Sequence, residues 1–105
     1  MTSKTGELFV SVVNSGDTDA FLDLFVPAGF VNDWGRTFKG RAGIKGWSDE
    51  EFIGAQGQLT EVHITAAAET TEVVALWTSQ RYTGPSRFVL HRTGDKLASM
   101  AITAA

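Results

Sequence analysis

Four runs of β-branched and aromatic residues fill the second half of the chain: Leu59 to Ala66, Val73 to Tyr82, Ser86 to Arg92 and Leu97 to Thr103. The connectors between them are polar or glycine-bearing, Thr83-Gly84-Pro85 and Thr93-Gly94-Asp95-Lys96 among them, and read as turns. Connectors this short cannot carry a crossover, so neighbouring runs must lie antiparallel. A sheet of this kind has to bury a face, and the first half of the chain supplies the cover. Glu7 to Val13 places Leu8, Phe9, Val12 and Val13 on one helical stripe. Asn14-Ser15-Gly16 ends that helix, and Asp17 caps a second one carrying Ala20, Phe21, Leu24 and Phe25, stopped by Pro27. Ala28-Gly29 reads as a turn, Phe30 to Trp34 as a short strand bounded by Gly35, and Arg36-Thr37-Phe38 as its hairpin partner. From Arg41 to Phe52 the spacing of Ile44, Trp47 and Ser48 turns helical again, with Gly54 as the stop. Helices first and a strand meander after predict an α+β domain, and 105 residues make one domain, residues 1–105.

In Val73-Val74-Ala75-Leu76-Trp77 both parities are apolar, and Phe88-Val89-Leu90 repeats the pattern. A sheet with one wet face alternates more cleanly than this. Helices on one face and a second copy of the chain on the other satisfy both parities, so a homodimer through the sheet is expected.

The remaining composition narrows the function classes. No apolar run approaches the roughly 20 residues that span a bilayer, and Met1-Thr2-Ser3-Lys4-Thr5 lacks the apolar stretch of a secretory leader. Zero cysteines exclude disulfides, thiolate metal sites and cysteine nucleophiles, and suit the reducing cytoplasm. The net charge of -3, with no run of adjacent cations, argues against nucleic acid as a partner. His63 and His91 are the only histidines and lie far apart, so neither a metal nor any other cofactor is implied. Nucleophile elbows, P-loops and dinucleotide fingerprints are absent.

The order of elements, together with Gly29-Phe30-Val31-Asn32-Asp33-Trp34-Gly35 and Phe38-Lys39-Gly40-Arg41-Ala42-Gly43-Ile44, resembles the NTF2-like superfamily. It is most similar to the bacterial SnoaL-like branch, which is related to ketosteroid isomerases. The likeness runs through nearly the whole chain, from the Gly16-Asp17 joint to the last strand, Leu97 to Ile102. It implies a curved, mostly antiparallel sheet wrapped by the N-terminal helices into a cone, a pocket inside, and usually a dimer. Members of the superfamily include isomerases, cyclases, epoxide hydrolases, dehydratases and plain binding modules.

The resemblance puts Asp33 where the isomerases carry the aspartate that shuttles a proton. A carboxylate in an aromatic pocket is desolvated, which favours its use as a base; the other role open to Asp33 is a turn residue paired with Arg36 or Arg41. The isomerases' oxyanion donors do not carry over: Phe9 falls at the tyrosine position, and Ser86 falls near the late-strand acid. Losing one such donor typically costs about 2.7–4 kcal/mol of transition-state stabilisation, which argues against steroid isomerisation. Trp47 and Phe52 on the third helix, with Trp77, Ser86, Phe88 and Met100 on the strands, are the other candidate lining residues. Strand parity turns Trp34 away from Asp33. It leaves the face of Trp77 open, and it puts His63, the weak candidate for a partner in acid–base work, on one face with Leu59, Glu61 and Thr65. No second inward aspartate is found to complete the Asp-Arg-Asp relay of the epoxide-hydrolase branch. Two functions follow. One is a cone binding a small apolar ligand, with proton-transfer chemistry of the isomerase, cyclase or hydrolase type at Asp33. The other is a non-catalytic binding or dimerisation module.

Overall fold

The computed structural model describes residues 4–105; Met1 to Ser3, part of the stretch read for a leader, lie outside the described residues. The elements run α1 (Lys4–Ser15), α2 (Thr18–Leu22), β1 (Phe25–Asp33), β2 (Arg36–Lys39), α3 (Gly40–Glu51), β3 (Gln58–Ala66), β4 (Thr70–Thr78), β5 (Thr83–Thr93) and β6 (Lys96–Ala104). The strands form one six-stranded sheet in the order β2-β1-β6-β5-β4-β3. Every neighbouring pair is antiparallel except β1 with β6, which is parallel. The helices pack against this open sheet, α1 on β3 and β4, and α3 on β1 and β2, with α2 between them. The expected α+β architecture is the observed one.

Local chemistry explains the joint between the first helices. Gly16 sits in the left-handed region at φ 74°, which closes α1. Asp17 then caps α2, its Oδ1 accepting from the Ala20 N–H at 3.0 Å. The second helix is shorter than the apolar stripe predicts. It ends at Leu22, and Phe25 already belongs to β1. Pro27 and the Ala28-Gly29 pair do not form a turn; they lie inside β1, where the register with β6 shifts between Phe25 and Phe30. That irregular stretch is where a residue without an N–H does least damage to the ladder.

The core lies between the helices and the inner face of the sheet. Phe9, Val13 and Phe21 from the helices meet Val31, Val73, Phe88, Leu90 and Met100 from the strands, all of them fully buried or nearly so. Each such side chain contributes roughly 1.5–3 kcal/mol on leaving water. Of the first predicted stripe, Phe9 and Val13 are buried, but Leu8 is 52% exposed. The inner row is in register across three strands: Asp33 pairs with Ile102, and Ile102 with Phe88. The outer face of the sheet is different. Val74, Leu76, Val89 and Ala101 are only half-buried, so the apolar outer parity is incompletely covered by the described residues.

Candidate functional site

One end of the core does not close. A pocket of about 320 Å³ opens between α3, the end of β1 and the β4–β5 turn, and its lining joins aromatic rings to a cluster of charges. All three tryptophans of the chain, Trp34, Trp47 and Trp77, line it, as does its single tyrosine, Tyr82. The volume sits at the small end of ligand-binding pockets.

The aromatic wall is built from α3 outward. Trp47 lies on the buried stripe of α3 with Ile44 and Ser48. Ser48 fixes the end of the helix: its carbonyl accepts the N–H groups of Phe52 (3.0 Å) and Gly54 (2.9 Å), and its hydroxyl accepts that of Ile53 at 3.3 Å. The chain turns at Phe52, whose ring stacks between Trp47 (centroids 4.9 Å apart, 21° between planes) and Trp77 (4.6 Å, 9°). Trp77 in turn lies over Gly57, where a Cβ would come within 1.8 Å of the ring. Only glycine leaves room for the indole there. Phe88 closes the wall at 6.1 Å from Phe52 and 6.3 Å from Trp77.

The charged side centres on Asp33, the last residue of β1. Its Oδ2 accepts from Arg36 Nη2 at 2.6 Å and from the indole Nε1 of Trp47 at 3.0 Å. Both donors use the same oxygen, and no described residue donates to Oδ1. The Asp33 side chain is 14% exposed. Arg36 bridges onward to Glu51 through Nη1 to Oε2 (3.0 Å) and Nη2 to Oε1 (2.7 Å), a two-pronged contact that suits the planar guanidinium. Those hydrogen bonds hold the Glu51 carboxyl below its usual range and hold the Arg36 guanidinium well above its own. The result is a carboxylate–guanidinium–carboxylate bridge from the β1–β2 hairpin to the end of α3.

The predicted site residues separate cleanly. Asp33, Trp47, Phe52, Trp77, Ser86 and Phe88 all line the pocket. Ser86 is buried and donates to the Gly84 carbonyl at 3.3 Å. Phe9 and Met100 do not line it. Both are fully buried in the core, Phe9 against Phe88 at 5.5 Å, and Ile102 takes the place at the pocket that Met100 was expected to share. His63 is exposed on β3 and away from the pocket. The register shift between Thr60 and His63, where Glu61 adopts φ 51°, inserts an extra residue and moves His63 to the face opposite Leu59. His91 is likewise exposed.

Trp34 corrects the parity argument. It belongs to a two-residue hairpin turn with Gly35, at φ 54° and 90°, rather than to the strand. Asn32 Oδ1 accepts the Gly35 N–H at 2.8 Å and so fixes this turn. Left-handed geometry is costly for a bulky residue, and here it turns the indole, 61% exposed, to the mouth of the pocket. Four lining residues escaped the sequence reading: Arg36 as a lining residue, Glu51, Arg81 and Tyr82. Arg81 and Tyr82 were read as strand, but β4 ends at Thr78, and Ser79 to Tyr82 form the turn. Thr83-Gly84-Pro85, read as that turn, belongs to β5. Ser79 was the usable signal, since its hydroxyl holds the turn by accepting the N–H groups of Arg81 (3.1 Å) and Tyr82 (3.0 Å).

No protein-family model matches the chain, and no curated protein matches it. Solved structures do. A proposed polyketide cyclase from Sinorhizobium meliloti superposes with a TM-score of 0.85 at 18% identity, over 97% of this chain and 95% of that one. The epoxide hydrolase/cyclase-like enzyme SalBIII, described in pyran ring formation in polyether salinomycin, gives 0.84 at 19% identity over 97% and 91%. An NTF2-like protein of unknown function from Cytophaga hutchinsonii gives 0.78 at 11% identity over 98% and 91%. The fold is therefore that of the NTF2-like proteins, as the resemblance implied. Likeness at these identities fixes the fold and leaves the chemistry to the site.

Proposed function

We propose that this chain binds a small, largely apolar ligand in the aromatic pocket and that Asp33 moves a proton on it. The observation that carries this reading is the asymmetry at Asp33, with Oδ2 committed to Arg36 and Trp47 and Oδ1 without a donor among the described residues. Two donors fix the plane of the carboxylate, so the second oxygen keeps a defined direction and a lone pair for a substrate proton. The aromatic wall supplies the apolar contact, and the hydroxyls of Tyr82 and Ser86 are the neutral polar groups of the lining. Phe9 cannot donate to an oxyanion, which keeps steroid isomerisation of the ketosteroid isomerase type outside the proposal. Structural neighbours described as a proposed polyketide cyclase and an epoxide hydrolase/cyclase-like enzyme support a chemical role for the pocket.

The test is exchange of the acidic carbon-bound hydrogens of 2-tetralone into deuterium oxide, followed by proton NMR. Wild type should accelerate the exchange, and Asp33→Asn should return it to the buffer rate while still binding the ketone. Equal acceleration by both proteins would refute the role of Asp33. Binding without acceleration by either favours the second reading, a binding module without chemistry, which the existing Asp33–Arg36 ion pair also supports.

We further propose a homodimer through the outer face of the sheet, supported by the half-buried Val74, Leu76, Val89 and Ala101 that no helix covers. Light scattering should return twice the monomer mass for wild type and the monomer mass for Val89→Glu. A monomeric wild type at micromolar concentration would overturn it.

A further inference from the structure

We infer that the pocket selects small apolar acids, with the ligand's anionic group held by Arg81 at the mouth; this rests on the ligand-binding reading above and adds a polarity to it. Two guanidiniums line the pocket, and they are not equivalent. Arg36 is committed, with Asp33 on one side and Glu51 on the other. The Arg81 side chain makes no hydrogen bond or ion pair with any described residue. Its backbone is nonetheless held in place. The Ser79 hydroxyl accepts the Arg81 N–H at 3.1 Å and donates to the Tyr82 carbonyl at 2.9 Å, and the Gln80 N–H ties the turn to Ala55 at 2.9 Å. A pinned turn therefore carries an uncommitted cation at an aromatic mouth. Its charge is felt across that mouth, where it helps to hold the Glu51 carboxyl low.

The lining consequently holds two electrically different groups. Asp33, whose Oδ1 has no donor among the described residues, stands at the end of β1, and Arg81 stands at the turn between β4 and β5. A neutral ligand would use only the aromatic wall. A cationic ligand would find Asp33 and Glu51 both paired to Arg36 and would meet the unpaired Arg81. An acid with an apolar body uses the aromatic wall and the uncommitted cation together, because a carboxylate matches the guanidinium fork. The cavity volume of about 320 Å³, at the small end of ligand sites, has room for a bicyclic body.

The experiment is calorimetric titration of wild type and Arg81→Gln at pH 7 and low salt with 2-naphthoate and 2-naphthamide, which share shape and differ in charge. Wild type should bind the naphthoate about tenfold more tightly than the amide, the scale of one charge-assisted hydrogen bond. Arg81→Gln should bind the two alike, and a far-ultraviolet circular dichroism spectrum matching wild type shows that the variant is folded. Equal affinities, or a preference for the amide, in wild type would overturn the selectivity while leaving the ligand-binding reading intact. A preference for naphthoate that survives in Arg81→Gln would overturn the assignment to Arg81. Failure of wild type to bind either compound would overturn both readings.

Discussion

The indole N–H of Trp47 donates to Asp33 Oδ2 at 3.0 Å, the oxygen that also accepts Arg36 Nη2 at 2.6 Å. One side chain thus serves two structures. Its ring is part of the buried stack with Phe52, and its polar edge orients the carboxylate of the pocket. Trp47→Phe keeps most of the ring area and deletes the donor. Loss of a hydrogen bond to a charged acceptor predicts about 1.5–3 kcal/mol of destabilisation in urea unfolding. A change below about 0.5 kcal/mol would show that water replaces the indole at no cost.

Glu51 gives the fold a pH dependence whose sign follows from its partner. Hydrogen bonds from Arg36 lower its folded pKa below the ordinary value of 4.5. The unfolded state therefore binds the proton more readily, so the stabilisation is complete above that ordinary value and is lost as pH falls through the lowered folded value. Glu51→Gln should shift the urea midpoint downward at pH 7 and much less at pH 3. Equal shifts at both pH values would mean that the bridge acts by packing rather than by charge.

Gly57 is held to glycine by Trp77 rather than by backbone conformation. A Cβ there would stand 1.8 Å from the indole, so Gly57→Ala must push the ring toward the pocket or open the turn. Overpacking of this kind costs typically 1–3 kcal/mol. The melting temperature should fall by several degrees and the tryptophan emission should shift. An unchanged melting temperature with unchanged emission would contradict the placement of Trp77.

Much of this architecture was legible in the chain because it rests on periodicity and punctuation. The Gly16-Asp17 joint, the α3 stripe of Ile44, Trp47 and Ser48, and the four late strands follow from local rules, and all are present. Asp33, Trp47 and Phe52 were readable as pocket-lining residues for the same reason, together with the resemblance. What escaped depends on register or on distance. One extra residue at Glu61 reverses His63, and a left-handed turn re-aims Trp34, and neither event changes the residue pattern. The Arg36–Glu51 bridge joins residues 15 apart on different elements, so no spacing announces it. The second acid was sought among aspartates, and the structure supplies a glutamate.

The aromatic pocket beside Asp33 should take an apolar ligand, and the three indole N–H signals can report it. Trp34, Trp47 and Trp77 all line the pocket, so each is a separate reporter in a nitrogen–proton NMR spectrum. Titration with 2-tetralone should move the Trp47 and Trp77 signals in a saturable way, with Trp34 following at the mouth. Indole signals that stay in place up to the solubility limit of the ketone would contradict the account.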